Sequence, residues 1–155
     1  MTGDIILQRR SGIVGWVVSL FTKNEWVHCG IDLGNGQIVH VDWRGKRFTK
    51  YQDWKNILVL RVNVSLPDLK LAKLCACAVN EPVKGYSFYN AVMSWYKKNP
   101  DDFKRSGRYN QCAEFVSKVY RKIGIDLVPG RSDDTTQPQD FLTSPVLTSF
   151  KGNYI

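Results

Sequence analysis

The sequence predicts an α+β fold in which an antiparallel sheet packs against helices, and its layout supports this class. Segments with strand-like apolar alternation cluster in the first half of the chain, whereas segments with helical periodicity cluster in the second half. A length of 155 residues and a hydrophobic share of 43% fit one domain with its own core. No repeat or Pro/Ser-rich linker divides the chain, so we expect residues 1–155 to form a single domain.

Four segments have the apolar pattern of β-strands: Gly3 to Gln8, Trp26 to Leu33, Gln37 to Trp43 and Ile57 to Val64. The second and third of these flank the tripeptide Gly34-Asn35-Gly36, which is typical of a tight turn. We therefore expect these two strands to form a hairpin.

Five segments have helical patterns: Ser11 to Phe21, Leu66 to Val79, Tyr86 to Lys98, Asn110 to Ile123, and a short one that starts near Pro138 and includes Phe141. The fourth is the clearest, because its apolar positions follow the period of 3.6 residues and Gly124 follows its last turn.

Both histidines of the chain, His28 and His40, lie in the predicted hairpin on the polar faces of their strands. If the apolar faces pair, the register sets His28 opposite Asp42 and diagonal to His40, and such neighbours lie within ~5–8 Å. One sheet face would then carry a base and two candidate groups that orient it. Considered alone, the histidines are better explained as surface residues of an edge hairpin.

Cys112 lies at the start of the clearest helix, just after Asn110, which is a favourable cap. This position places the thiol beside unpaired N–H groups and the positive end of the helix dipole, and both favour the reactive thiolate. Considered alone, Cys112 is better explained as the first residue of a buried stripe. Together with the hairpin, however, it gives the arrangement of papain-type catalysis: a cysteine at a helix start, a histidine and a polar orienting residue.

The other three cysteines are expected to be reduced and less reactive. Cys29 follows His28 but points to the apolar side of its strand, so we expect it in the core. Cys75 and Cys77 are two residues apart on a predicted helix, so they point to different sides and do not form a metal-binding pair.

The segment from His28 to His40 resembles the histidine hairpin of NlpC-type cysteine hydrolases, in which a His-x-Gly-Ile pattern precedes a Gly-Asn-Gly turn, an apolar pair and a second histidine. Cys112-Ala113-Glu114-Phe115-Val116 is similar to the start of that family's nucleophile helix, with Ala113 in place of a frequent serine. Here the cysteine follows the histidines. This order resembles the circularly permuted branch, which includes YiiX/YebB-like hydrolases and relatives of lecithin:retinol acyltransferase.

The resemblance implies a papain-like, permuted NlpC-type fold. It assigns Cys112 as the nucleophile, His28 as the base and His40 as the residue that orients the base, although many members of the branch carry a glutamate there. It also places Tyr86 near the oxyanion site. The hairpin register leaves Asp42 as the alternative orienting group. Chemistry of this kind needs no cofactor and no metal.

The predicted activity is hydrolysis or transfer of an acyl group through a Cys112 thioester, with a peptide-like amide such as a cell-wall peptide as substrate. A lipid ester or amide is the alternative substrate, because the permuted branch includes acyltransferases. Two non-catalytic alternatives are a zinc-binding or structural module, in which His28, His40 and Cys112 are the ligands, and an inactive binding protein of the same fold.

The net charge of +8 is explained by a solvated surface alone, or by an anionic partner such as a cell-wall polymer or a membrane surface. No nucleic-acid motif is present, so no nucleic-acid partner is expected, and no pattern specifies an oligomeric state. The N-terminal segment lacks the features of a secretory leader, and the longest apolar run, Ile13 to Phe21, is too short to cross a bilayer of ~30 Å. We expect a protein that is cytoplasmic at synthesis and that needs a virion, an injection system or lysis to reach a cell wall.

Overall fold

A computed structural model describes residues 1–9, 25–83 and 111–150. Within these ranges six strands form one sheet in which all neighbours are antiparallel. In chain order the strands are β1 (Ile5–Arg9), β2 (Trp26–Asp32), β3 (Gln37–Asp42), β4 (Gly45–Lys50), β5 (Ile57–Val62) and β6 (Leu147–Phe150). Their order across the sheet is β4-β3-β2-β1-β5-β6. The predicted fold class is confirmed.

The four predicted strands are present, with ends that differ by one or two residues. The sequence did not reveal β4 and β6, which form the two edges of the sheet. Most side chains of both strands are exposed or half-buried, so neither strand needs the apolar alternation by which strands are recognised.

Two α-helices lie in the described ranges, α1 (Asp68–Asn80) and α2 (Cys112–Arg121). They confirm two of the predicted helices with shifted ends. The segment at Pro138–Thr143 is a 3₁₀ helix, as are the single turns Tyr51–Asp53 and Asp133–Thr135. The predicted helices Ser11 to Phe21 and Tyr86 to Lys98 lie outside the described residues. No described helix is long and apolar enough to span a membrane.

The main hydrophobic core lies between α2 and one face of the sheet. Helix α2 has almost no exposed face, because eight of its ten residues are buried. The sheet contributes alternate residues of its strands, among them Ile5, Leu7, Cys29, Ile31, Val39 and Val41. A second, smaller cluster contains Ile6, Ile38 and Val59, at intervening strand positions, and Trp54, which follows the turn Tyr51–Asp53. Apolar side chains therefore cover both faces of the sheet, and the predicted core position of Cys29 is confirmed.

The β2–β3 pairing has the predicted register. Gly30 pairs with His40, and the ladder continues to Asp32 and Ile38, but it does not extend to His28 and Asp42. A Cβ atom at Gly30 would lie 2.6 Å from the Ile38 side chain and 3.0 Å from the His40 Cβ. Glycine at position 30 therefore lets β3 place His40 close to β2.

Candidate active site

Cys112 is the first residue of α2 and is only 4% exposed. The N-cap is Gln111, not the predicted Asn110, which lies outside the described residues. The carboxylate of Glu114 accepts the backbone N–H of Gln111 at 3.2 Å, so the two residues form a capping box. The sequence Gln-x-x-Glu thus fixes the helix start one residue later than predicted and places Cys112 at the positive end of the helix.

The surroundings of Cys112 favour its thiolate. A hydrogen bond from the Cys29 side chain lowers the pKa of Cys112 most; burial opposes this, and a hydrogen bond and charge from His28 lower the pKa further. The net result is a pKa well below the ordinary value for a thiol. Burial raises the pKa of Cys29, and its hydrogen bond to Cys112 raises it further. Of the two thiols, Cys112 therefore ionises first and Cys29 remains the S–H donor.

His28 links Cys112 to His40. The Nε2 atom of His28 lies 2.8 Å from Nδ1 of His40, and the two rings meet edge to face at an interplanar angle of 88°. Burial lowers the pKa of His40 to about 3, with smaller contributions from the charges of His28 and Arg47. His40 is therefore neutral at physiological pH. When His28 is an imidazolium, its Nε2–H donates to His40, and its Nδ1 is the nitrogen left for Cys112.

Asp42 is engaged elsewhere. Its Oδ1 atom accepts the backbone N–H of Arg44 at 2.7 Å in the turn between β3 and β4. Of the two candidate orienting groups, the structure thus brings His40 and not Asp42 into contact with His28. Tyr86, the remaining candidate, lies outside the described residues.

Trp54 is part of the site, and sequence reasoning missed it. Its ring stacks on His28 with a centroid distance of 5.3 Å and an interplanar angle of 24°, and it lies nearly perpendicular to the His40 ring at a centroid distance of 5.2 Å. Its Nε1–H donates to Thr49 Oγ1 at 2.7 Å, and the residue is 8% exposed. Trp54 therefore covers the hydrogen bond between the two histidines and limits the access of water to it.

The arrangement supports nucleophilic chemistry. The His28 imidazole contributes to the lowered pKa of the Cys112 thiol, and the neutral imidazole of His40 holds His28 through one of its ring nitrogens. A nucleophile, a base and an orienting group in this order are the parts of an acyl-transfer site. The backbone N–H of Cys112 belongs to the first helical turn, where N–H groups have no intrahelical acceptor.

The same residues do not fit a metal site. The described part of the chain contains no group of three His, Cys, Asp or Glu residues arranged to hold a metal ion. Two nitrogens that ligate one tetrahedral zinc ion, each at ~2.0–2.1 Å, lie about 3.3 Å apart. The 2.8 Å separation of His28 and His40 is that of a hydrogen bond. His28, His40 and Cys112 are therefore not arranged as the ligands of a zinc ion.

The chain is similar in structure to the metalloprotein yiiX (DUF1105) from Escherichia coli O157:H7, with a TM-score of 0.71 and 20% sequence identity. The alignment covers 100% of this chain and 98% of that chain. At this identity the likeness shows a shared fold, the YiiX-like, papain-like α+β fold. No family model matches the sequence, and no curated protein matches it.

Proposed function

We propose that this chain is a cysteine hydrolase that cleaves an amide or ester bond through a Cys112 thioester, with His28 as general base and acid. The observation that carries the proposal is the 2.8 Å contact between His28 and His40, together with the lowered pKa of Cys112, to which a hydrogen bond and charge from His28 contribute. His40 acts as a positioning residue, because its buried neutral ring accepts a hydrogen bond from His28 and fixes the tautomer of the base.

The reaction begins when His28 Nδ1 takes the Cys112 thiol proton and the thiolate attacks the substrate carbonyl carbon. The negative charge moves to the carbonyl oxygen, where the backbone N–H of Cys112 and the helix dipole stabilise it. Collapse of this intermediate breaks the bond to the leaving amine or alcohol, which takes the proton from His28. Water activated by His28 then hydrolyses the thioester and restores the thiol.

A peptide-like amide is the substrate we propose, with a cell-wall peptide as the leading example. An amine is a poor leaving group unless it is protonated, and the hydrogen-bonded His28 supplies a proton at that step. A lipid ester or amide is the alternative, which the same residues would cleave by the same steps. If the substrate is a cell-wall peptide, we propose delivery by a virion, an injection system or lysis.

Metal binding is the competing function, because the similar yiiX protein is described as a metalloprotein. The absence of a ligand set in the described residues disfavours it for this chain.

Turnover assays with a peptide amide, a cell-wall peptide and a lipid ester test the proposal. We expect hydrolysis of at least one substrate, an insensitivity to metal chelators, and a loss of ~10³-fold or more in the Cys112→Ala variant. Cys75→Ala is the matched control, because it removes a thiol outside the site. Activity that survives Cys112→Ala, or that chelation abolishes, would refute the proposal.

A further inference from the structure

The turn between β3 and β4 and the edge strand β4 expose aromatic side chains to solvent. Trp43, in the turn, is 67% exposed, and the guanidinium of Arg44 lies 4.4 Å from the centroid of its ring. Phe48, in β4, is 46% exposed. A large exposed tryptophan has an unfavourable contact with water, so a turn that displays one is a candidate binding surface.

The same segment carries unpaired positive charge. Arg44, Arg47 and Lys50 are exposed, and none of them forms an ion pair within the described part of the chain. The other described arginines all pair with carboxylates: Arg9, Arg61, Arg121 and Arg131. Arg44 and Arg47 thus differ from the other described arginines in being available to an anionic partner.

The segment from Trp43 to Lys50 is also held in place. The Lys46 ammonium binds the backbone carbonyls of Val79 and Glu81 at the end of α1. All six residues of β4 pair with β3. The surface is therefore preformed, and little conformational entropy is lost when it binds a partner.

We propose that residues 43–50, here called the aromatic-basic hairpin, dock the protein on a bilayer that contains anionic phospholipid. Tryptophan prefers the headgroup level of a bilayer, and arginine and lysine are attracted to its negative surface potential. A nucleic acid fits less well, because Arg44 already covers one of the two faces of Trp43 on which a base could stack.

The aromatic-basic hairpin lies next to the candidate active site, so docking would bring the bilayer close to that site. Arg47 pairs directly with His40 in the β3–β4 ladder. Arg47 therefore shares the sheet face of His40, whereas Phe48, opposite Val39, lies on the other face. A bilayer bound through Trp43, Arg44 and Arg47 would lie on the side of the sheet that carries the histidine pair. Binding itself requires neither Cys112 nor turnover, so the inference can be tested independently of the proposed hydrolase activity.

Co-sedimentation with phosphatidylcholine vesicles that contain phosphatidylglycerol tests the inference on the full chain. We expect the wild type and Cys112→Ser to bind equally, and binding to weaken with added salt. Each removed cation should weaken binding about fivefold, so the double variant Arg44→Gln/Arg47→Gln should bind about 25-fold less. Trp43→Ala should also weaken binding, including at high salt.

Helix α1 provides matched controls. Lys70 and Lys73 are exposed and have no ion pair among the described residues, so Lys70→Gln/Lys73→Gln removes the same charge elsewhere. Leu69, 82% exposed, provides Leu69→Ala as the control for Trp43→Ala. The six substituted side chains in these four variants are all exposed, so the melting temperature should stay unchanged. If the variants of the aromatic-basic hairpin and those of α1 lose vesicle binding equally, the inference is wrong. Equal binding to pure phosphatidylcholine, or retention of a single-stranded oligonucleotide without vesicle binding, would also overturn it.

Discussion

The Nε2 atom of His28 lies 2.8 Å from the Nδ1 atom of His40, and this contact joins β2 to β3 beside the Cys112 thiol. Each ring limits the freedom of the other, and Trp54 covers both. The contact determines which nitrogen of His28 faces Cys112, so the competence of the proposed base depends on His40.

The first prediction concerns the residue that orients His28. His40→Ala should slow turnover by ~10²–10⁴-fold, because His28 loses the acceptor that fixes its tautomer. His40→Asn keeps a polar acceptor and should retain more of the rate, whereas Asp42→Ala should stay near wild type because Asp42 binds the turn at Arg44. Steady-state kinetics over a range of pH measure these effects. If Asp42→Ala is the impaired variant and His40→Ala is not, the assignment of His40 is wrong.

The second prediction concerns thiol reactivity. At neutral pH Cys112 should react with iodoacetamide before Cys29, Cys75 and Cys77, because its pKa is lowered whereas burial raises the pKa of Cys29 and of Cys75. Peptide mapping over a time course measures the order of labelling. Equal rates at all four cysteines, or faster labelling of Cys75, would contradict the assignment of Cys112 as the nucleophile.

The third prediction concerns Cys29. Cys29→Ala removes the hydrogen bond that contributes most to the lowered pKa of Cys112. The midpoint of the pH–alkylation profile of Cys112 should therefore move to higher pH. Cys29→Ser keeps a donor and should restore most of the difference, whereas loss of packing alone would affect the alanine and serine variants alike. A midpoint that is identical in wild type and Cys29→Ala would show that this hydrogen bond does not activate Cys112.

The fourth prediction concerns stability against acid. The pKa of His40 falls from 6.5 to about 3 on folding. As pH falls below 6.5 the unfolded chain takes up a proton at His40 that the folded chain does not, so the stabilisation present above this pH is lost toward pH 3. As pH falls from 6.5 toward 3, the free energy of unfolding should decrease more steeply in wild type than in His40→Asn. The two slopes should differ by up to ~1.4 kcal/mol per pH unit. Urea titrations at several pH values measure both slopes, and parallel slopes would count against a buried neutral His40.

The sequence predicted the parts of the fold that depend on local patterns. The hairpin register followed from the turn at Gly34 to Gly36 and the apolar faces of β2 and β3, because a shift by one residue would expose a whole face. Helix α2 followed from its periodicity. Strands β4 and β6 could not be predicted in this way, because edge strands are stabilised by a neighbour distant in sequence and bury few side chains.

In the candidate site, too, residues placed by local sequence patterns could be predicted, and residues placed only by the tertiary fold could not. Cys112, His28 and His40 could be singled out because they stand at a helix start and on one hairpin, where spacing determines position. Trp54 could not, because it follows a single 3₁₀ turn in a polar segment and reaches the histidines only through the tertiary fold. The contact between Cys29 and Cys112 was also missed. Strand alternation assigns Cys29 to the core but does not predict which helix residue packs on it.

The most direct test of the central claim is the intact mass of the protein after brief exposure to an activated acyl ester and an acid quench. The wild type and Cys75→Ala should each gain the mass of one acyl group, located at Cys112 by peptide mapping. Cys112→Ala should gain none, and His28→Ala should accumulate the adduct far more slowly. An acyl group on another residue, or equal acylation of Cys112→Ala, would contradict catalysis through a Cys112 thioester.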